Sequence, residues 1–310
     1  MPSWGELINK LNSRELTLQG IAEMKADYIQ KLSEHTGRNV ILYYSGFLQR
    51  EKAKDTAISD TDINAFMENL YNLDKTKGLD LFLHTPGGDI TATEQIINYL
   101  YSVFDGNIRA IIPQIAMSAG SMIAVSCNEI VMGKQSCLGP FDPQINGIAC
   151  QSALREFQDA VDNVTSNPAS LGLWQVIISR YNPTFLHSCK QAVELSQQIA
   201  DKNIKCVVAT KNVSKVLTLF NDSTDSKTHS RHINIKQCQE AGLKVTPLED
   251  DKTLQELVLT IHHCNMILLD NSVIVKIVEN NIGGCYLRQL SVPSPPPLPV
   301  PPKEDALNIH

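Results

Sequence analysis

Apolar positions in the first 36 residues recur with the spacing of amphipathic helices. The first segment places four of them on one helical face: Trp4, Leu7, Ile8 and Leu11. A second helical pattern extends from Glu15 to Glu34, and Gly37 follows it as a stop signal. We therefore predict N-terminal helices over residues 1–36, the first of which docks on the core or on a second subunit.

Beyond residue 36 the pattern changes to short apolar runs separated by helical segments. Four runs predict strands: Val40–Tyr44, Leu79–Leu83, Ile108–Ile115 and Glu129–Met132. Helices are predicted between them, one ending at Leu70 with N-cap chemistry at Asp60-Thr61-Asp62, one from about Ile90, and one over Met117–Ser126. Apolar runs without alternation are typical of strands covered on both faces. The order of strands and helices predicts an α/β fold with a largely parallel sheet and right-handed crossovers.

The second half of the chain is predicted to be mostly helical. Five segments carry helical patterning: Gln151–Val164, Leu171–Arg180, Pro183–Asp201, Ser214–Phe220 and Thr253–Asp270. Residues 223–231 are polar, and Pro293–Pro302 is Pro-rich, which favours an extended or disordered tail. The tail matches a minimal PxxP pattern, although a plain spacer is the better interpretation of so short a motif. The predicted organisation is a helical arm over 1–36, a main domain over 37–290 and a tail over 291–310.

Composition narrows the classes of function. The formal net charge is −6 without any cluster of Lys and Arg, which argues against a nucleic-acid surface. The eight cysteines are scattered singly, without the paired spacing of zinc ligands, so no metal is expected. The N-terminus lacks an apolar signal core, and no stretch approaches the ~20 apolar residues of a membrane span. The expectation is a cytoplasmic protein with reduced thiols.

Two turns of small residues follow successive predicted strands. In Thr85-Pro86-Gly87-Gly88 the proline fixes φ, and the glycines let the backbone approach a ligand with free N–H groups. Ala116-Met117-Ser118-Ala119-Gly120-Ser121 leads into an apolar helix, whose N-terminus favours a developing oxyanion. In open parallel sheets, ligands bind beyond the carboxyl ends of the strands. Both turns are predicted to lie at that edge.

Ser118 is the candidate nucleophile of this edge. The N–H groups of Gly88 and Ala119 are candidate donors to an oxyanion, and the combination suits acyl transfer. Either turn alone is weak evidence, because a Pro-Gly-Gly turn is ordinary in loops and a serine at a helix start is usually an N-cap. Their pairing on consecutive strand ends carries the hypothesis. Ser121 is the rival nucleophile, expected to lie one turn deeper and more buried.

These motifs resemble the Clp-protease/crotonase fold and, within it, the serine dehydrogenase proteinase family, which is related to signal peptide peptidase A. Four segments carry the resemblance: Leu83-His84-Thr85-Pro86-Gly87-Gly88-Asp89-Ile90, Ala116-Met117-Ser118-Ala119-Gly120, residues 133–144 and residues 254–263. It implies an ATP-independent serine endopeptidase that forms an acyl-enzyme on Ser118, with Gly88 and Ala119 as the oxyanion hole. It also implies a homo-oligomer, a trimer or hexamer that buries helical arms between subunits. The resemblance implies a protein or peptide substrate and no metal or organic cofactor.

The sequence leaves the general base open. Clp-type peptidases place a histidine after the nucleophile helix, but the matching stretch here reads Phe141-Asp142-Pro143-Gln144. Relatives of signal peptide peptidase use a lysine, which must be desolvated to lose its proton near neutral pH. Lys190, with apolar neighbours on a predicted helix, is the first choice and would make a Ser-Lys peptidase. The other candidates are Lys134, His229, His232, His262 and His263.

Two functions of other classes could use the same turns. A crotonase-like acyl-CoA enzyme would stabilise a thioester enolate there and would need a carboxylate base, for which Asp89 is the candidate. A non-catalytic scaffold or chaperone would fit the missing Clp-type histidine. A fluorophosphonate probe separates the three, because only a peptidase nucleophile forms a covalent adduct on Ser118.

Overall fold

A mixed sheet forms the centre of the computed structural model, which describes residues 3–50, 53–221 and 231–290. Its strands within these residues are β1 Asn39–Ser45, β2 Leu79–His84, β3 Ile108–Ile112, β5 Glu129–Met132, β9 Val245–Pro247, β10 Ile274–Asn280 and β11 Cys285–Gln289. Their order is β11-β10-β1-β2-β3-β5-β9. Neighbours from β1 to β9 pair in parallel, whereas β10 pairs antiparallel with both β1 and β11. The predicted parallel α/β core is confirmed.

Helices cover both faces of this sheet. Within the described residues they are α1 Trp4–Asn12, α2 Leu18–Thr36, α3 Asp62–Leu70, α4 Ile90–Phe104, α5 Ala119–Val125, α6 Cys150–Ser166, α7 Leu171–Ile178, α8 Phe185–Val207, α9 Thr210–Asn221, α10 Ile235–Ala241 and α11 Lys252–Asp270. Two short pairs complete the order: β4 Ile115–Ala116 with β6 Cys137–Leu138, and β7 Gln144–Ile145 with β8 Ile148–Ala149.

Alternating side chains of the parallel strands feed two separate cores. In β2, Leu81 and Leu83 join a core with α3, α4, α5 and the later helices α8 to α10. Phe82 points to the other face, where α2 and α11 cover it and α1 inserts Leu7, which is only 1% exposed. Strands buried on both faces read as continuous apolar runs, which is why they are recognisable in the sequence. The first helix thus docks on the core of its own chain.

The hairpin of β10 and β11 and the short strand β9 are not among the predicted strands. The signal for β10 is present in the sequence, because Ile274 to Val278 is rich in β-branched residues and Gly283-Gly284 follows. Lys276 and Glu279 obscure this pattern in the sequence. Both side chains are buried in ion pairs in the structure. The second half of the chain is therefore less uniformly helical than expected.

Two other boundaries differ from the sequence expectation for local reasons. The third predicted strand breaks at Pro113 and resumes as the separate strand β4. The helix expected from Met117 begins instead at Ala119, because Ser118 has a non-helical backbone. At the start of α3, Thr61 makes no side-chain cap, and the Asp62 carboxylate accepts a hydrogen bond from the Ser59 N–H.

Helix α6 packs against both α7 and α8. No residue of α7 is buried in the described structure, although its sequence is strongly apolar. Leu171, Leu173 and Val176 are 48%, 65% and 60% exposed. Among the described residues, no helix combines the length and apolar character needed to cross a membrane. The predicted tail over 291–310 and nearly all of the polar stretch lie outside the described residues.

Candidate active site

The two predicted turns meet at the carboxyl edge of the sheet. Backbone hydrogen bonds join them: Thr85 N–H donates to the Ile115 carbonyl over 3.3 Å, and Met117 N–H donates to the Thr85 carbonyl over 2.9 Å. A Cβ atom added to Gly87 would lie 2.7 Å from the Ser118 Cβ, so the chains are in close contact. Only a glycine permits this approach, at a φ of 94°. The pairing of the turns, expected from their strand positions, is present.

Ser118 has a backbone conformation that L-residues seldom adopt. Its φ is 50° and its ψ is −121°, immediately before the first residue of α5. Such strain persists only where the surroundings impose it, and it clusters at functional sites. The side chain makes no cap hydrogen bond and is partly exposed, so its hydroxyl is accessible.

Two backbone amides beside Ser118 donate no hydrogen bond within the described residues: those of Gly88 and Ala119. The neighbouring amides are engaged, since Gly87 N–H donates to the Thr85 hydroxyl and Gly120 N–H donates to the Met117 carbonyl. Unpaired amides are rare unless they face solvent or a ligand. Both residues line the same cleft.

The cleft over Ser118 has a volume of about 270 Å³. Its apolar lining comes from three elements: Ile90 at the start of α4, Met122 in α5 and Ala192 in α8. The segment Phe141-Asp142-Pro143-Gln144 forms the opposite wall. The stretch that matches the Clp-type histidine thus does reach the cleft, but it brings no imidazole.

Residues 46–258, more than half of the chain, match the ClpP-like SDH-type serine proteinase family. The chain belongs to this family. Two relatives are uncharacterized proteins of Methanocaldococcus jannaschii, MJ0137 and MJ1495, which are 29% identical over 192 residues and 31% identical over 167 residues. The alignments cover 59% and 54% of this chain, and 59% and 51% of the relatives, so the chain spans little more than half of their length. The ClpP-like family assignment confirms the suspected family.

In the turn that carries Ser118, Ser121 has a structural role. It is fully buried, and its hydroxyl donates to the Ala116 carbonyl over 2.7 Å and accepts from the Gly139 N–H over 2.8 Å. The first hydrogen bond closes the turn that carries Ser118, and the second joins it to the segment that leads to the cleft wall. Ser121 is more buried than Ser118, as expected, and its hydroxyl is not free to attack a substrate.

None of the candidate bases contacts Ser118 in the described residues. Lys190 is exposed on α8, two residues before Ala192, which lines the cleft. Lys134 and His232 are also exposed, and His229 lies outside the described residues. Lys190 lies on the helix that lines the cleft, although it does not line the cleft itself, and its ammonium makes no described ion pair.

His262 and His263 lie on α11, where His262 is buried and His263 is half-buried with its ring 5.8 Å from that of Trp4. The Tyr44 hydroxyl lies 3.3 Å from His262 Nδ1, and the His84 ring packs 5.5 Å from the His262 ring. His84 is fully buried, and neither of its ring nitrogens has a hydrogen-bond partner in the described structure. Burial lowers the pKa of His84 to about 3 and that of His262 well below its ordinary value. Both imidazoles are neutral structural groups at neutral pH.

Acid should destabilise the protein through these histidines. His84 has a pKa of about 3 when folded and about 6.5 when unfolded, so the unfolded chain binds the extra proton between these values. The contribution of the neutral His84 to the free energy of unfolding is complete above pH 6.5. It is lost at about 1.4 kcal/mol per pH unit as the pH falls towards 3. We expect His84→Leu to flatten the dependence of the unfolding free energy on pH between 6 and 4. Urea titrations at several pH values measure this slope; an unchanged slope, equal to that of the exposed-residue control His232→Gln, would contradict it.

Asp89 is committed to capping a helix. Its Oδ1 accepts hydrogen bonds from the Thr91 hydroxyl and from the N–H groups of Thr91 and Ala92 at the start of α4. These bonds, that of the Thr91 hydroxyl first, hold the pKa of Asp89 below its ordinary value. A carboxylate in this state is a weak base, which disfavours Asp89 as the base for acyl-CoA enolisation. No cluster of potential metal ligands occurs among the residues that the structure describes.

A second cavity, of about 380 Å³, lies at the amino-terminal edge of the sheet. Three cations line it, and each is paired: Arg38 and Arg109 with Asp80, and Lys244 with Glu129, all at 2.7 Å. Each of these cations is thus already held by a carboxylate of the protein. The cleft at Ser118 is therefore the better candidate site.

Proposed function

We propose that this protein is an ATP-independent serine endopeptidase that works through an acyl-enzyme on Ser118. The observation that carries the proposal is a strained Ser118, whose hydroxyl makes no described hydrogen bond, beside the N–H groups of Gly88 and Ala119, which donate to no described residue, in one cleft. A nucleophile and two fixed amide donors are the groups that acyl transfer needs. The ClpP-like serine proteinase family supports the reaction class.

The reaction would proceed in two acyl-transfer steps. Ser118 Oγ attacks the peptide carbonyl carbon and gives up its proton to a base, while the carbonyl oxygen becomes an oxyanion held by Gly88 and Ala119 N–H. Collapse breaks the C–N bond, and the leaving amine takes the proton. Water then attacks the acyl-enzyme, supplies a proton to Ser118 Oγ and releases the acid. Preorganised amides of this kind contribute on the order of 10²–10³ each in kcat.

A fluorophosphonate probe tests the nucleophile directly. We expect the wild-type chain to form a covalent adduct that peptide mapping places on Ser118, because the phosphonyl oxygen occupies the same two-amide site. Ser118→Ala should abolish labelling, whereas Ser121→Ala should still be labelled on Ser118. A well-folded wild-type chain that is not labelled would refute the peptidase and favour the scaffold, and binding of acyl-CoA without labelling would favour the crotonase-like enzyme.

We propose Lys190 as the base that receives the Ser118 proton. It lies on the helix that supplies Ala192 to the cleft, and its ammonium is not held by a described ion pair. A bound peptide would remove water from this part of α8, and desolvation lowers the pKa of a lysine towards neutrality.

Lys190→Met is expected to lower kcat by about 10²–10⁴-fold, the usual contribution of acid–base catalysis, and to remove the rise of kcat with pH that deprotonation of the base produces. The measurement is kcat against pH on a peptide substrate. Lys134→Met, which changes another exposed lysine, is the matched control and should retain activity. Full turnover in Lys190→Met would eliminate the assignment and direct attention to the remaining candidates.

The proposed enzyme is a homo-oligomer, as the resemblance implies. Its support is the apolar sequence of α7, of which Leu171, Leu173 and Val176 are each exposed. Large exposed apolar surfaces mark association sites in folded proteins.

A further inference from the structure

We propose that Lys276 and Asp62 form a positioning pair that sets the Gly88 amide of the oxyanion site, acting through the backbone of Ile58. The two residues are 214 positions apart in the chain. Neither lines the cleft. The inference rests on the proposed function, since it concerns the aim of an oxyanion donor.

The pair is buried and saturated with hydrogen bonds. Lys276 Nζ lies 2.7 Å and 2.8 Å from the two carboxylate oxygens of Asp62, and both side chains are 1% exposed. Asp62 Oδ2 also accepts from the Tyr43 hydroxyl over 2.8 Å and from the Ser59 N–H over 3.0 Å. Lys276 Nζ donates in addition to the Ala57 carbonyl over 3.0 Å. The ammonium and its partner carboxylate thus form hydrogen bonds with the backbone on both sides of residue 58.

The segment around Ile58, which this ion pair fixes, also forms hydrogen bonds to the turn that contains Gly87 and Gly88. Ile58 N–H donates to the Gly87 carbonyl over 2.8 Å, and the Ile58 carbonyl accepts from the Asp89 N–H over 2.9 Å. Gly88 lies between these two bonds, in a parallel bridge with Ile58. The peptide groups on either side of Gly88 are therefore fixed, and the one remaining donor, the Gly88 N–H, is oriented by them.

Energetics favour a positioning role over a purely stabilising one. A buried ion pair contributes little net stability, because desolvation of both charges offsets their attraction, and apolar pairs of similar size often replace it at no cost. Placement is a stricter requirement, since a shift of about 1 Å at a catalytic group can cost on the order of 10²-fold in rate. The removal of the pair should therefore lower kcat more than it changes stability.

The test uses a double variant, Lys276→Met with Asp62→Leu, so that no uncompensated charge remains buried. The matched control is Lys25→Met with Glu279→Leu, because this second buried ion pair also involves strand β10 but has no described contact with residues 57–62. We expect kcat for a peptide substrate to fall by about 10–10²-fold in the positioning variant, with KM within about twofold of wild type. The control should keep kcat within about threefold of wild type, although its urea midpoint should be similar to that of the positioning variant.

Amide hydrogen exchange gives a readout that does not depend on activity. In the positioning variant the N–H groups of Ile58 and Asp89 should exchange at least about tenfold faster than in wild type, and in the control they should not. Equal losses of kcat in the two variants, or unchanged exchange at both amides, would overturn the proposal. Failure of the proposed function is read separately, from a wild-type chain that neither labels with fluorophosphonate nor cleaves peptides.

Discussion

Replacement of Ser118 by glycine is expected to abolish peptide hydrolysis and to raise the free energy of unfolding by about 1 kcal/mol. The loss of turnover, on the order of 10⁴-fold or more, follows from removal of the nucleophile. The gain in stability follows from the backbone, because φ of 50° with ψ of −121° is strained for serine and readily accessible to glycine. The greater freedom of glycine in the unfolded chain offsets part of the relief.

Two control variants separate these effects. Ser118→Ala keeps the Cβ atom and therefore the strain, so it should lose turnover without the gain in stability. Asp105→Gly changes another residue of positive φ, 48°, at the end of α4, outside the cleft. Since its conformation is the ordinary left-handed one, we expect a smaller change in stability and full turnover. Urea unfolding and peptide assays measure both quantities, and residual hydrolysis by Ser118→Gly at more than a thousandth of the wild-type rate would contradict the assignment.

The sequence predicted the two turns that meet at Ser118 because their signals are local. Pro86 and the following glycines restrict the turn after β2, and a serine among small residues marks the start of α5. The apolar runs of β2 and β5 have nearly the bounds observed, since strands buried on both faces need no alternation. Local propensity and tertiary context agree at these positions.

Features that depend on distant partners could not be predicted in this way. Lys276 and Glu279 interrupt the apolar pattern of β10, and only their buried partners Asp62 and Lys25, both far away in sequence, make them compatible with a core strand. The role of Ile58 is likewise invisible locally, because its function lies in backbone hydrogen bonds to another turn. The helix start at Ala119 was misplaced by two residues because strain at Ser118 is imposed by tertiary contacts.

Gly88→Ala is expected to lower kcat by about 10²–10³-fold while Ser118 stays in place. A Cβ atom at residue 88 would lie 2.3 Å from both the nitrogen and the carbonyl oxygen of Ile58. Backbone atoms cannot rotate away as a flexible side chain can, so the turn itself must move and take the amide donor with it. The same displacement should lower the free energy of unfolding by about 1–3 kcal/mol, the usual cost of overpacking.

The matched control is Gly172→Ala, which makes the same chemical change in α7, where no atom lies within 4 Å of the added Cβ. Alanine is the better helix former by up to about 1 kcal/mol, so this variant should be at least as stable as wild type and fully active. Steady-state kinetics at a temperature where Gly88→Ala is still folded then separate the effect on kcat from the effect on stability. Because the donor acts on the transition state, the loss should appear in kcat with little change in KM. A folded Gly88→Ala chain with kcat within threefold of wild type would remove this amide from the oxyanion site and leave Ala119 as its single backbone donor.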